Sequence, residues 1–255
     1  MNPSALPAIT KLISPPQVWR QVCRFSLGTL SRVALLMSVV GPLSGQAQDW
    51  ANLGAFREAN KGLGGPGPDT DRVVFMGNSI TIGWLHSMPE FFEGKPYVNR
   101  GISGQTTPQM LLRFRQDVIA LRPKVVLILA GTNDIAGNTG PMSLSEIMDN
   151  LKSMAELALA NGIQPVLCSV LPARDYPWRP GLKPYEKIPR LNAMIRAYAT
   201  HKELVYVDYF SAMANAENGL DPSLAEDGVH PTRKGYELMV PLATEAIRMA
   251  LRKAR

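Results

Sequence analysis

The chain has 255 residues, 45% of them hydrophobic, which is enough to bury one substantial core. Its formal net charge is +6, but Lys11, Arg20, Arg24 and Arg32 all lie within residues 1–47, a stretch that contains no acidic residue. Without those four of the 27 basic residues, the chain has 23 basic and 21 acidic residues. The 23 basic residues form no Lys/Arg block that would follow a phosphate backbone. Charge therefore argues against a nucleic-acid partner.

The first 47 residues have the order of a targeting segment. A basic stretch ends at Arg32, the apolar run Val33–Leu43 follows, and small residues lead to Ala47. The run is far shorter than the ~20 residues that span a bilayer. We predict that residues 1–47 are a signal peptide cleaved near Ala47, so that the protein is secreted or periplasmic. Because the basic region is long for a signal peptide, a start assigned too early and an uncleaved anchor stay open as alternatives.

Cysteine usage agrees with export. Cys23 would leave with the signal peptide, and Cys168 alone would remain, so no disulfide can form within the mature chain. Cys168 lies in an apolar run, and we predict a buried structural thiol there.

A short segment separates this leader from the main domain. Residues 48–70 contain an amphipathic stretch, Trp50–Leu63, followed by a linker rich in Gly and Pro, Gly62–Asp71. We predict that the amphipathic stretch packs on the outside of one domain formed by residues 71–255.

In that domain, apolar strands alternate with helical patterns. Five stretches have strand character: Arg72–Gly77, Pro96–Gly101, Lys124–Gly131, Gln164–Pro172 and Leu204–Phe210. Four have helical periodicity: Thr107–Leu121, Ser143–Gly162, Pro184–Thr200 and Thr232–Lys253. Strands that are apolar on both faces are typical of a parallel sheet covered by helices on both sides. We therefore predict an α/β fold with a five-stranded parallel sheet.

Polar residues follow the carboxyl ends of these strands, where open parallel sheets bind ligands. Ser79 follows the first strand, Gly104 the second and Asn133 the third, and the block with Asp227 and His230 comes after the fifth. A hydroxyl, an exposed backbone, an amide, a carboxylate and an imidazole are the parts of a serine nucleophile with its base and its oxyanion donors.

These four blocks resemble the SGNH, or GDSL-like, hydrolase family over nearly all of Val73–Pro231. The resemblance implies a three-layer α/β/α sandwich similar to flavodoxin. It also implies an esterase that needs no metal and no cofactor. Asn78 stands where the motif that gives the family its name has aspartate, and we expect it to hold the loop by local hydrogen bonds, with Gly77 letting the backbone turn.

The resemblance also assigns roles. Ser79, Asp227 and His230 would be catalytic, and Ser79, Gly104 and Asn133 would form the oxyanion hole. Taken alone, Asp227 could be a turn residue and Asn133 a helix cap.

Two further histidines compete with His230 for the role of base. His86 follows Ser79 on a predicted helix and His201 ends another, and we expect both to be exposed or capping residues.

The substrate is less tightly defined. The loop Pro172–Lys187 should overhang the site, and its Trp178 and Arg179 could stack on a sugar ring or merely cap the sandwich. We predict a secreted serine esterase for short acyl groups, such as O-acetyl groups on carbohydrate. A lysophospholipase or thioesterase of the same family and a non-catalytic carbohydrate-binding protein are the alternatives. The sequence predicts no oligomeric state.

Overall fold

The fold is a five-stranded, all-parallel sheet, seen in a computed structural model that describes residues 49–67 and 70–254. The predicted signal peptide, residues 1–47, lies outside the described residues. The strands are β1 (Val73–Gly77), β2 (Tyr97–Gly101), β3 (Val125–Leu129), β4 (Gln164–Cys168) and β5 (Val205–Val207). Their order across the sheet is β2-β1-β3-β4-β5, so β1 lies between β2 and β3.

Eight α-helices connect and flank these strands in the described part of the chain. They are α1 (Arg57–Leu63), α2 (Ser79–Ser87), α3 (Thr107–Asp117), α4 (Thr132–Ile135), α5 (Leu144–Ala160), α6 (Pro184–His201), α7 (Tyr209–Met213) and α8 (Arg233–Lys253). No helix within residues 49–67 or 70–254 is long and apolar enough to cross a bilayer.

Successive residues of each central strand enter different cores. Val74 and Met76 of β1 point to a core that α3, α5 and α6 cover, whereas Val73 and Phe75 point to a core covered by α2 and α8. All five residues of β1 and of β3 are buried, which explains why these strands are apolar without alternation. The predicted three-layer α/β/α sandwich is confirmed.

Three strands end earlier than their apolar runs predicted, and β3 does so by two residues, at Leu129 rather than Gly131. β4 stops at Cys168 rather than Pro172, because Asn192 of α6 takes over the backbone pairing: its Oδ1 accepts from the Val170 N–H at 2.8 Å and its Nδ2 donates to the Val170 carbonyl at 2.9 Å. β5 stops at Val207 rather than Phe210, because the Asp208 side chain accepts from the Ser211 N–H at 3.0 Å and starts α7.

The free thiol of Cys168 is buried at the end of β4, as predicted, and burial raises its pKa to about 12.

The segment before the domain is helical only in part. Of the amphipathic stretch Trp50–Leu63, only Arg57–Leu63 forms a helix, and α1 contains no buried residue. Backbone carbonyls hold the rest in place: Trp50 O accepts from Gln109 Nε2 at 2.6 Å, and Ala51 O accepts from Gln105 Nε2 at 2.8 Å. Polar contacts therefore contribute much of the docking that an apolar helical face was expected to provide.

Candidate active site

Ser79 is the first residue of α2, directly beyond the carboxyl end of β1. The buried Asn78 caps this helix, since its Oδ1 accepts a hydrogen bond from the Ile80 N–H at 3.0 Å. A neutral amide oxygen serves this purpose as well as a carboxylate does. The position that departs from the GDSL motif therefore keeps a structural role, and it leaves Ser79 at the mouth of the sheet.

Gly77, which precedes Asn78, lies where there is no room for a side chain. The φ of Gly77 is not positive, so its place does not call for glycine's backbone freedom. A Cβ on Gly77 would clash with Thr81 Oγ1 and lie 2.9 Å from the Leu129 carbonyl oxygen. The expectation that Gly77 is needed for the turn is thus wrong, and close packing of β1 against β3 and α2 is the reason.

His230 bridges Ser79 and Asp227. Its Nε2 lies 2.9 Å from Ser79 Oγ, and its Nδ1 lies 2.6 Å from Asp227 Oδ2. The other carboxylate oxygen accepts from the backbone N–H groups of Val229 at 2.9 Å and His230 at 2.7 Å. Burial acts to raise the pKa of Asp227, but these hydrogen bonds outweigh it and keep the pKa below its ordinary value. Asp227 therefore presents a carboxylate to the imidazole.

The two competing histidines are elsewhere on the surface. His86 in the last turn of α2 and His201 at the end of α6 are both exposed. His230 is the histidine that the fold brings to Ser79.

The predicted oxyanion donors come from the ends of three adjacent strands. The Ser79 N–H lies in the first turn of α2, where backbone donors have no partner within the helix. Gly104, in the loop after β2, has φ +75° and is exposed. Asn133, in α4 after β3, is 3% exposed, and its Nδ2 donates to the Gln105 carbonyl at 2.9 Å. An amide NH₂ has two hydrogens, so one remains for a substrate oxygen.

The loop after β4 places Trp178 beside the imidazole. The Trp178 ring centroid lies 6.3 Å from that of His230, and the ring stacks on the buried Tyr176 at 5.0 Å. Its Nε1 donates to Asn138 Oδ1 at 3.2 Å, and 42% of the residue is exposed. Trp178 therefore presents an aromatic face next to the site.

Arg179, unlike Trp178, binds backbone carbonyls of a neighbouring loop. Its Nη1 donates to the carbonyls of Ala136 at 3.2 Å and Gly137 at 3.0 Å. These contacts fasten the loop to the chain after α4, so the structure shows a structural use for Arg179.

Sequence reasoning missed two residues of this region. Asn138 donates from Nδ2 to the Gly104 carbonyl at 3.1 Å and accepts from Trp178, which joins the loops after β2, β3 and β4. It lies among glycines in a stretch without periodicity, and no pattern marks it. Arg113 is fully buried in α3. A lone arginine on the apolar face of a predicted helix was a signal that could have been read.

Among the described residues, no three His, Cys, Asp or Glu side chains come together in a way that could hold a metal ion.

Residues 75–238 match the GDSL-like Lipase/Acylhydrolase family. The chain belongs to this family, which consists of carboxylester hydrolases of the serine type. The predicted family is confirmed.

Two crystal structures are similar to the chain over most of its length. A GDSL-like lipase from Bacteroides thetaiotaomicron is 48% identical, with a TM-score of 0.77, over 78% of this chain and 98% of that one. A candidate acylhydrolase from Bacteroides fragilis is 46% identical, with a TM-score of 0.79, over 80% of this chain and 99% of that one.

A more distant relative carries a substrate in its name. An acetylxylan esterase from Xylanibacter ruminicola is 26% identical over 226 residues, which cover 74% of this chain and 45% of that protein. The chain spans less than half the length of the curated relatives it matches.

Proposed function

We propose that this protein is a serine esterase in which Ser79 is the nucleophile, His230 the general base and Asp227 the residue that orients the base. The observation that carries the proposal is the continuous hydrogen-bonded chain from Ser79 Oγ through both ring nitrogens of His230 to Asp227 Oδ2, at 2.9 and 2.6 Å. Serine is a weak nucleophile until a base removes its proton during attack, and these distances allow that transfer.

The reaction proceeds in two halves. His230 Nε2 takes the proton from Ser79 Oγ as the oxygen bonds to the ester carbonyl carbon. The resulting oxyanion accepts hydrogen bonds from the Ser79 and Gly104 N–H groups and from Asn133 Nδ2. The imidazolium then gives its proton to the departing alkoxide, and the acyl group stays on Ser79. A water, deprotonated by His230, releases the acid and restores Ser79.

We propose a short acyl group, with acetyl favoured, on a carbohydrate alcohol. The exposed face of Trp178 beside His230 is suited to stacking on a sugar ring, since aromatic faces bury the apolar faces of sugars. Similarity to an acetylxylan esterase over 74% of the chain supports the same substrate class.

A lysophospholipase or thioesterase of the same family would instead need room for a long acyl chain. Two connections beyond the strand ends are long, residues 169–183 and residues 214–232, and Trp178 is the one large apolar side chain that they expose, so they offer little for an apolar lid.

A non-catalytic carbohydrate-binding protein would have no need of the complete arrangement. Binding a sugar does not require a serine hydroxyl hydrogen-bonded to an imidazole that is itself held by a carboxylate. The geometry of Ser79, His230 and Asp227 therefore favours the enzyme.

The test compares p-nitrophenyl acetate, butyrate and octanoate, followed by acetylated xylan, with the wild type and two serine variants. We expect hydrolysis with kcat/KM highest for acetate, complete loss in Ser79→Ala, and wild-type rates in Ser145→Ala, whose exposed side chain lies in α5. Activity that persists in Ser79→Ala would remove the nucleophile. A kcat/KM that rises steadily with chain length would favour the long-chain alternatives.

We also propose export directed by residues 1–47, on the basis of the basic stretch and the apolar run Val33–Leu43. The mature chain should begin near Gln48. Mass spectrometry of the exported protein is the measurement, and a product that retains residues 1–47 would contradict cleavage.

A further inference from the structure

A single buried guanidinium touches the segments that carry the oxyanion donors. Arg113 of α3 is fully buried, and its Nη2 donates to the carbonyls of Gly77 at 3.1 Å and Arg100 at 2.9 Å. Gly77 lies two residues before Ser79, and Arg100 lies at the end of β2. Its Nε donates to Gln105 Oε1 at 2.6 Å.

Gln105 extends this contact to the other two donors. It directly follows Gly104, and its backbone carbonyl accepts the 2.9 Å hydrogen bond from Asn133 Nδ2. The guanidinium is a rigid planar fork, so its bonds to Gly77 and Gln105 hold those two segments at one separation. Through these two segments, Arg113 fixes the positions of Ser79, Gly104 and Asn133 relative to one another.

A buried positive charge must be compensated. Asp117 is also fully buried, and its Oδ2 accepts from Arg113 Nη1 at 3.1 Å. Its Oδ1 accepts from Asn60 Nδ2 at 2.7 Å. The Asn60 Oδ1 in turn accepts from Arg100 Nε at 2.9 Å and Nη2 at 2.7 Å.

Asn60 belongs to the segment Asp49–Leu63, which therefore completes the buried network. Ala51 of the same segment accepts from Gln105 Nε2 at 2.8 Å, and the Phe56 ring lies 4.6 Å from the Arg100 guanidinium. Without this segment, Gln105 and Asp117 would each lose a hydrogen-bond partner inside the protein, which is costly for buried polar groups.

We propose that Arg113 is a positioning residue of the oxyanion site and that the segment Asp49–Leu63, through Asn60, holds Arg113 in place. This inference rests on the proposed function, because it concerns the donors that the esterase would use. Displacing a reacting or stabilising group by about 1 Å can cost roughly 10²-fold in rate, even when the substitution is remote. The segment before the domain is then part of the catalytic unit.

The experiment uses the protein with residues 48–255 intact and measures kcat and KM for p-nitrophenyl acetate, well below the melting temperature of each variant. We expect Arg113→Lys, which keeps the charge but loses the fork, to lower kcat about 10²-fold, and Asn60→Ala, one step further away, about tenfold. KM should change little, since oxyanion donors act mainly in the transition state. Lys61→Ala is the control, because this neighbour of Asn60 is exposed and pairs with Glu58 at the surface.

The outcomes separate a positioning role from a purely structural one. Variants that melt earlier but keep the wild-type kcat would overturn the inference, because a structural role moves stability and not the rate of folded protein. If Arg113→Lys does not fold, the kcat of Asn60→Ala alone decides between the two roles. If the wild type shows no hydrolysis that depends on Ser79, the proposed function itself is overturned. If the wild type is active and Asn60→Ala has the same kcat, only this inference is overturned.

Discussion

One carboxylate holds both the ring and the backbone of the same histidine. Asp227 accepts from His230 twice, with Oδ2 facing the ring Nδ1 at 2.6 Å and Oδ1 accepting the backbone N–H at 2.7 Å. An ionised carboxylate can only accept, so the pairing places the proton on Nδ1 and leaves Nε2 free to receive the Ser79 proton. The three-residue spacing of Asp227 and His230 in the D-x-x-H block suits this double contact.

The first prediction ranks the site residues by kcat/KM. His230→Ala should cost at least as much as Asp227→Ala, about 10⁴-fold, because His230 alone transfers the proton. Asn133→Ala should cost less, on the order of 10²–10³, as is usual for one oxyanion donor. His86→Ala is the control, since that side chain is exposed on α2. A folded His230→Ala protein with near wild-type activity would eliminate His230 as the base.

The second prediction concerns the acid limb of the pH profile. Although burial acts to raise it, hydrogen bonds keep the pKa of Asp227 below its ordinary value, so this carboxylate stays ionised while the solution is acidified toward pH ~4. Activity should then be lost through a single essential protonation that does not involve Asp227. The logarithm of kcat/KM should fall with a slope of about one per pH unit. A slope of two would mean that a second essential group titrates in the same range.

The third prediction tests the aromatic face beside the site. Trp178→Ala should raise KM for acetylated xylan while leaving kcat for p-nitrophenyl acetate within a few-fold, because the ring lies 6.3 Å from the His230 ring and its Nε1 donates to Asn138 rather than to the Ser79–His230–Asp227 chain. Trp178→Phe should restore much of the xylan affinity, since it keeps an aromatic face, although a smaller one, and loses the hydrogen bond to Asn138. Equal losses on both substrates would assign Trp178 to the catalytic loop geometry.

The fourth prediction concerns a buried carboxylate that does not touch Ser79. Asp134 Oδ1 accepts from the Thr107 N–H at 2.8 Å and from its hydroxyl at 2.6 Å, whereas Oδ2 is buried without a partner among the described residues. Burial raises the pKa of Asp134, although the bonds from Thr107 act in the opposite direction.

A raised carboxyl pKa means that the folded state binds the proton more tightly than the unfolded state. Stability should therefore fall as the pH rises from the unfolded value of about 3.9 through the raised folded value. Asp134→Asn removes the titrating carboxyl group and with it this pH dependence. The free energy of unfolding of the variant, measured in urea titrations, should therefore increase relative to that of the wild type as the pH rises through this range. Asp149→Asn, which is exposed, is the control. A difference that does not vary with pH would contradict the prediction.

The fifth prediction tests the close packing at Gly77. Gly77→Ala should destabilise the fold by about 1–3 kcal/mol, since the added methyl group meets the Leu129 carbonyl oxygen at 2.9 Å and cannot be accommodated without backbone movement. Gly62→Ala in α1, where nothing lies within 4 Å, should be neutral or slightly stabilising. Urea unfolding measures both, and equal stabilities would show that β1 can shift.

The sequence by itself determined the sheet and the family. Strands buried on both faces must be apolar throughout and helices between them must repeat every three to four residues, so both could be read from local pattern. The cap of α5, in which the Ser143 and Glu146 side chains pair, is also local, and its spacing can be read from the sequence. The contact between Asp227 and His230 spans three residues, so it too depends little on the rest of the chain.

Tertiary structure alone decided the contacts between distant segments. The end of β4 depended on Asn192, which lies 22 residues from Val170. The contacts of Arg113 reach Gly77 and Gln105 directly and Asn60 through Asp117, and these residues come from different parts of the chain. Such contacts leave no periodic trace, because each joins two residues that are far apart in the chain and whose relative position is set only when the sheet has assembled. For that reason the pattern indicated the candidate site residues, while the fold alone revealed which residues hold them in place.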